Sequence, residues 1–327
     1  MSQQHERSIF DDIEEYESDE EMSPWRRNLR LWRDTLTEQW SLLIQDRLVV
    51  AAMATLAFFS LVAIFAPYLA PHDPLERMYG PNDIVIQKWV EPSFLGGEGG
   101  YVLGTTAAGY DIFSQLIYGA RPALIVGLVA AVMTVGIGTM IGLTAGYYGG
   151  YVDDALMRLV DFVYGLPLLP TVIVLVTVLG ASLENIILAF ILLQWRTSAR
   201  VIRSLVLSLR ERSFVKAAKV AGASNWRIIS RHIAPNVLPM SFLYGAFAIA
   251  WAILAEAGVS FLGLGDPNSV SWGVMLQGAR VYSAMAEGTW WWFVPPGICI
   301  ALVVISGFLI GRGYEEIVNP ELQTEQE

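Results

Sequence analysis

The side chains able to do chemistry are few and scattered. His5, His72 and His232 are too far apart in sequence for metal-ligand spacing, so no metal site is expected. The single cysteine, Cys299, lies in an apolar run and reads as a small buried hydrophobe without a disulfide partner. No nucleotide-binding Gly-rich loop, H-E-x-x-H or G-x-S-x-G occurs, so no motif supports an enzyme. The charges that recur at useful spacing are Asp154, Arg158 and Asp161, at i, i+4 and i+7 of a candidate helix. They predict a mutually satisfied cluster at a membrane edge, whereas an ion relay would need such groups near mid-membrane. With no residue to couple an ion gradient, energy must enter elsewhere. The longest basic segment, Arg210 to Pro239, offers the place. Its punctuation predicts two short helices. Ser213 caps the first and Gly222 ends it in a left-handed turn. Ser224 or Asn225 caps the second and Pro235 stops it. Ala217, Ala218 and Ala221 leave a smooth face that another protein can approach closely. The helix–turn–helix look also invites a DNA-binding reading. No nucleic acid is expected, because the unit is closed off between two apolar runs.

The elements around this loop follow from composition. Of 327 residues, 54% are hydrophobic and only 16% charged, with a mean hydropathy of +0.47, which lies outside the soluble globular range and points to a bilayer. The expected fold is all-α, a polytopic membrane protein of about six transmembrane helices. Residues 1–47 read as an acidic disordered tail followed by a basic flank, without the pattern of a cleaved signal. The first span is 48–70. A second apolar run goes from Pro122 to Tyr151, and a third continues through Leu166 to Gly180, kinked by Pro167 and Pro170. The fourth is free of charge only from Asn185 to Trp195, so it crosses only if Glu184 and Arg196 sit at opposite interfaces, Arg196 snorkelling outward. The fifth is Asn236 to Ala255 and the sixth runs from Trp290 to Gly311. The core transmembrane region is thus 122–312, and 313–327 forms a C-terminal tail.

Orientation follows from Lys and Arg. With both termini cytoplasmic, the basic flank and the loop 196–235 face the cytosol, and the outside keeps Arg77, Lys88, Arg121 and Arg280. The protein is therefore expected in the cell membrane, multi-pass, in contact with lipid. The outer loops 71–121 and 258–289 are too long for simple turns and are expected to dock something outside the membrane. Trp290, Trp291 and Trp292 read as interfacial anchors. Gly138, Gly142 and Gly146 put small residues on one helix face, for packing within the chain or against a second subunit. The net charge of -10 sits in tails and loops, which fits either a high-salt habitat or a disordered tail.

Three stretches resemble a known family. Lys216-Ala217-Ala218, Gly222 and Ile233-Ala234-Pro235 resemble the EAA loop of ABC importer permeases. Leu103-Gly104-Thr105, Gly109, Asp111, Ser114 and Gly119-Ala120-Arg121 resemble a signature of the C-type dipeptide/oligopeptide/nickel permeases. Glu256-Ala257, Ser260 to Gly265, Pro267 and Ser271-Trp272-Gly273 resemble another segment of that branch. The resemblance implies a subunit that moves dipeptides, oligopeptides or a related small solute by alternating access. It also implies a second related permease subunit, two cytoplasmic ATPase subunits and an extracytoplasmic solute-binding protein. ATP and Mg would be bound by those partners, and no cofactor by this chain. Lys216, Ala217, Ala218, Gly222, Ile233 and Pro235 would couple to the ATPase, while Asp111, Arg121, Gly263, Gly265 and Trp272 become candidates for external docking. The alternative is a membrane-anchored docking or scaffold protein that moves no solute. The sequence departs from the pattern at Tyr110, Thr106 and, above all, Lys216, where the family has Glu. Counted from a cap at Ser213, a Glu there would complete a capping box. Lys forgoes that at a local loss of about 0.5–1 kcal/mol.

Overall fold

The structure is a computed structural model that describes residues 40–78, 89–97 and 100–318. The expected acidic tail, the basic positions Arg26 to Arg33, Lys88 and the tail from 319 onward lie outside the described residues. The chain divides into two units, Met1–Val50 and Ala51–Glu327. In the first, Asp46 sets the start of α1 (Arg47–Leu69): its side chain accepts the Leu48 N–H at 2.8 Å and its carbonyl the Val50 N–H at 3.0 Å.

In the second unit α1 has no polar face. Ala52, Phe59, Ala63 and Ala66 are buried, while Phe58, Leu61, Ile64 and Phe65 are exposed, as suits a lipid-facing surface. The chain continues as α2 (Ile112–Tyr148), α3 (Gly150–Tyr164), α4 (Leu168–Leu179) and α5 (Leu183–Arg210). Then come α6 (Ser213–Val220), α7 (Asn225–Ile228), α8 (Ala234–Val259), α9 (Trp272–Val281) and α10 (Trp290–Val318). Among the described residues five helices are long and apolar enough to cross a bilayer, and α3 with α4, bent by 85°, makes a sixth span if taken as one. The all-α, polytopic expectation holds.

Several boundaries differ from those read in the sequence. α2 begins at Ile112, with Pro122 inside it, so the loop expected over 71–121 ends ten residues earlier than a charge-free run allows. α5 runs for 28 residues, so Arg196 lies in its middle and not at its end. The expected stop at Pro235 does not occur. α7 passes through a π turn, Ile229–Ile233, into α8. In that turn the Ala234 N–H donates to Ile229 O, five residues back, and Pro235 falls in the first turn of the new α segment, where no amide is required. The tryptophans also divide. Trp290 is exposed, but Trp291 and Trp292 are buried in the core with Phe59, Trp272 and Ile300, so only the first fits an interfacial anchor.

α2 and α5 meet along the glycine face. A Cβ at Gly142 would stand 2.7 Å from Ala199 O, and one at Gly146 2.7 Å from Val206 Cβ. One at Gly138 would overlap Ser198 Oγ. This chain's own α5 therefore occupies that face, which leaves no room there for another subunit.

Candidate functional site

At one end of the bundle the segment after α5 folds back on itself. Arg212, not Ser213, stands at the N-cap of α6, and no side chain caps the helix there. Lys216 is consequently four residues past the cap, and the capping-box comparison does not apply. Its charge is answered from within the chain: Nζ lies 3.1 Å from Glu211 Oε2, with Arg210 Nε 3.6 Å from the other oxygen. The hydrogen bond from Lys216 holds the Glu211 carboxyl below the usual carboxylate range, its charge and that of Arg210 adding to the effect. Gly222 has φ +79°, and the Gly222 and Ala223 amides return to the Lys219 and Ala218 carbonyls at 3.1 Å each. This is a Schellman ending, and only glycine takes that backbone without strain. Ser224 then caps α7 by accepting the Arg227 N–H at 3.3 Å.

The inner side of this hairpin is anchored. Val215, Ile228 and Ile233 are buried with Val206 of α5 and Val237 of α8, and the Tyr147 hydroxyl donates to Asn225 Oδ1 at 2.8 Å. Arg210 Nη1 reaches the Gly146 and Tyr147 carbonyls at the end of α2. The outer side is uncovered. Val220 is 90% exposed and Trp226 76%, with Phe214, Lys216, Ala217 and Gly222 exposed beside them. Of the predicted coupling residues, Ala218 and Pro235 are half-buried and Ile233 is an internal anchor. The acidic residues of α3 pair with α5, Asp153 with Arg203 and Asp161 with Arg200. The self-contained cluster expected of Asp154, Arg158 and Asp161 therefore does not form among the described residues.

The opposite end uses its polar and aromatic residues internally. Asp111 is 1% exposed and caps α2, accepting the Phe113 and Ser114 amides, the Ser114 hydroxyl at 2.6 Å and a 3.1 Å contact from His72 Nδ1. Trp272 is also 1% exposed. Its Nε1 donates to Leu116 O at 2.9 Å, and its ring occupies the space a Cβ at Gly119 would need. A docking role does not fall on Asp111 or Trp272, because neither presents a surface. Arg121 and Gly265 are half-buried, and Gly263 is exposed at φ +93° in the π turn Ser260–Leu264 after α8. Glu256 is buried within α8 and accepts the Ser260 hydroxyl at 2.7 Å.

Two arginines answer carbonyls outside their own helices. Pro67 has no N–H for the carbonyl four residues back, Ala63 O, and Arg121 Nε donates to it at 2.6 Å. At the break between α3 and α4, which holds Pro167, Arg196 Nη1 donates to Val163 O and Leu166 O at 2.7 and 3.3 Å. Arg196 and Glu256 were missed as functional candidates in the sequence. The available signal was a charge inside a longer helical pattern, which counting charge-free runs converts into a span end.

Residues 138–324 match the family model of the binding-protein-dependent transport system inner membrane component, and residues 30–85 that of the N-terminal transmembrane domain of oligopeptide transport permease C. The chain is 34% identical to a dipeptide transport system permease protein of Alkalihalophilus pseudofirmus, over 93% of this chain and 92% of that one. It is 32% identical to the dipeptide transport system permease protein of Bacillus subtilis, over 88% and 86%. Among solved structures, an inward-facing MetNI methionine ABC transporter chain superposes with a TM-score of 0.49 at 16% identity, covering 63% of this chain and 95% of that one.

Proposed function

The chain belongs to the family of binding-protein-dependent transport system inner membrane components, and we propose that it is the permease subunit of an ATP-driven importer of dipeptides or short oligopeptides. The observation that carries the reading is the hairpin of α6 and α7. It leaves Val220 and Trp226 uncovered while Val215 and Ile228 fix it to α5 and α8, so a push on the outer side moves the membrane helices. The occupant of that surface is a cytoplasmic ATPase subunit, one of two that bind ATP and Mg. A second, related permease subunit completes the pathway, and an extracytoplasmic solute-binding protein delivers the peptide. In this reading both termini and the hairpin are cytosolic, which the basic residues of 196–235 support. Alternating access then follows from the lever: closure of the ATPases displaces α6 and α7, and the continuous rod from Asn225 through the π turn carries the displacement into α8.

The test is ATP-driven dipeptide uptake by the complete transporter in vesicles. Gly222→Pro cannot adopt the left-handed turn and Ala218→Arg fills the half-buried side of the hairpin. Both are expected to abolish uptake while the protein still inserts. Normal uptake by either variant would overturn the lever.

A further inference from the structure

Between α2, α5, α8 and α10 lies a partly open cavity of about 490 Å3, lined among others by Gln194, Arg196, Thr197, Tyr244, Phe247 and Trp251. Its size falls within the range of small-molecule sites. Arg196 is the feature that needs explaining. A cation half-buried among apolar helices is expensive, and it is ordinarily neutralised by a carboxylate or kept for a ligand. Among the described residues no carboxylate pairs with it, since Asp161 is engaged by Arg200 and Asp153 by Arg203. Its Nη1 is fixed by the Val163 and Leu166 carbonyls and its guanidinium lies 4.9 Å from the Tyr164 ring centre. Those contacts orient the group without cancelling its charge. The Nε is buried and has no hydrogen-bond partner.

We propose that this cavity recognises the free C-terminal carboxylate of a peptide in transit, with Arg196 as the cationic group that receives it. The proposal rests on the reading of the chain as a peptide permease and adds a site inside the membrane to it. A planar guanidinium held from behind by two carbonyls is pre-oriented for a carboxylate. One cation matches one carboxylate, whereas a phosphate dianion would remain half-neutralised. Gln194, Thr197 and Tyr244 offer neutral hydrogen-bonding groups for the peptide amides, and Phe247 and Trp251 form an apolar wall. That division reads the features all peptides share and leaves their side chains to a permissive surface.

The experiment measures binding of radiolabelled Gly-Phe and of its C-terminal amide to the complete transporter in nanodiscs, with the solute-binding protein withheld. The wild type is expected to bind the acid about tenfold more tightly than the amide, the worth of one charge-assisted hydrogen-bonded pair. Arg196→Gln is expected to bring the acid down to the level of the amide. Tyr244→Phe leaves the carbonyl contacts of Arg196 intact and is expected to weaken both ligands severalfold, so the site remains testable if Arg196→Gln fails to fold. Equal binding of acid and amide, no binding of either, or a preference that survives in Arg196→Gln would overturn the site. ATP-driven Gly-Phe uptake by the wild type with the solute-binding protein present is measured in parallel. Uptake without carboxylate preference overturns this site alone, and absence of uptake overturns the permease reading beneath it.

Discussion

At the end of the bundle formed by α6 and α7, Val220 and Trp226 stand in the open on a hairpin whose other side is anchored. At the opposite end Trp272, Asp111 and Glu256 are buried, each with its polar atoms engaged by neighbours. Both ends carry signature-like residues, yet they use them differently. An apolar side chain left exposed on the hairpin needs a partner to cover it, and Trp226, 76% exposed in the short helix α7, has no packing role of its own. A tryptophan that fills the gap above Gly119 and bonds to Leu116 O is a structural part. In the proposed assembly the hairpin is the exchangeable contact, and the opposite end is a fixed frame.

The contrast can be broken most severely at the frame. Trp272→Ala removes a fully buried aromatic that also meets Phe59 at a 5.3 Å centroid distance, and is expected to destabilise the subunit by about 3–5 kcal/mol. Thermal unfolding in detergent checks this, and an unchanged midpoint would mean that the frame is not a frame. Trp226→Ser should leave the unfolding midpoint unchanged and weaken ATPase association by about 2 kcal/mol, roughly thirtyfold, as for a central aromatic anchor. Co-purification against a dilution series reads it out.

The smallest effect belongs to Lys216 and Glu211. Both are exposed, so breaking the pair by Lys216→Glu is expected to lower uptake by no more than about twofold. Combining it with Glu211→Lys, which restores the pair in reverse, should recover the wild-type rate. If instead the double variant is as impaired as Lys216→Glu, then Lys216 meets an acid on the ATPase and not Glu211. The pH dependence has a definite sign. Because the folded-state value of Glu211 is lowered, the support it lends is present above its unfolded value and is lost only as pH falls through the lowered folded value. The hairpin should keep this pair throughout the neutral range.

Much of the architecture was legible in the sequence. The long apolar runs, Gly222 as a left-handed ending and Ser224 as a cap follow from local rules, and local rules suffice wherever the deciding partner is a few residues away. Proline is where those rules failed. Pro235 reads as a boundary because it lacks an amide, and Pro122 because the charge-free run begins there, but helix ends form only where the carbonyl left behind finds nothing better. Here the answers come from a π turn before Pro235 and, for Pro67, from Arg121 on another helix. The same long-range geometry hid Arg196, whose charge looks like a span end until its partners in α3 and just beyond it are known. Asp111 and Trp272 looked like surface because polar and aromatic residues in a long loop usually are. Their burial depends on α9 folding back over α2 and on the turn that brings His72 to Asp111.

Hydrogen exchange of the permease pair, measured with and without the ATPase subunits, tests the central claim most directly. The account predicts that amides from 213 to 228 become strongly protected on ATPase binding, while those around 111–121 and 256–272 exchange at the same rate in both states. Unchanged exchange across 213–228 in the assembled complex would contradict it.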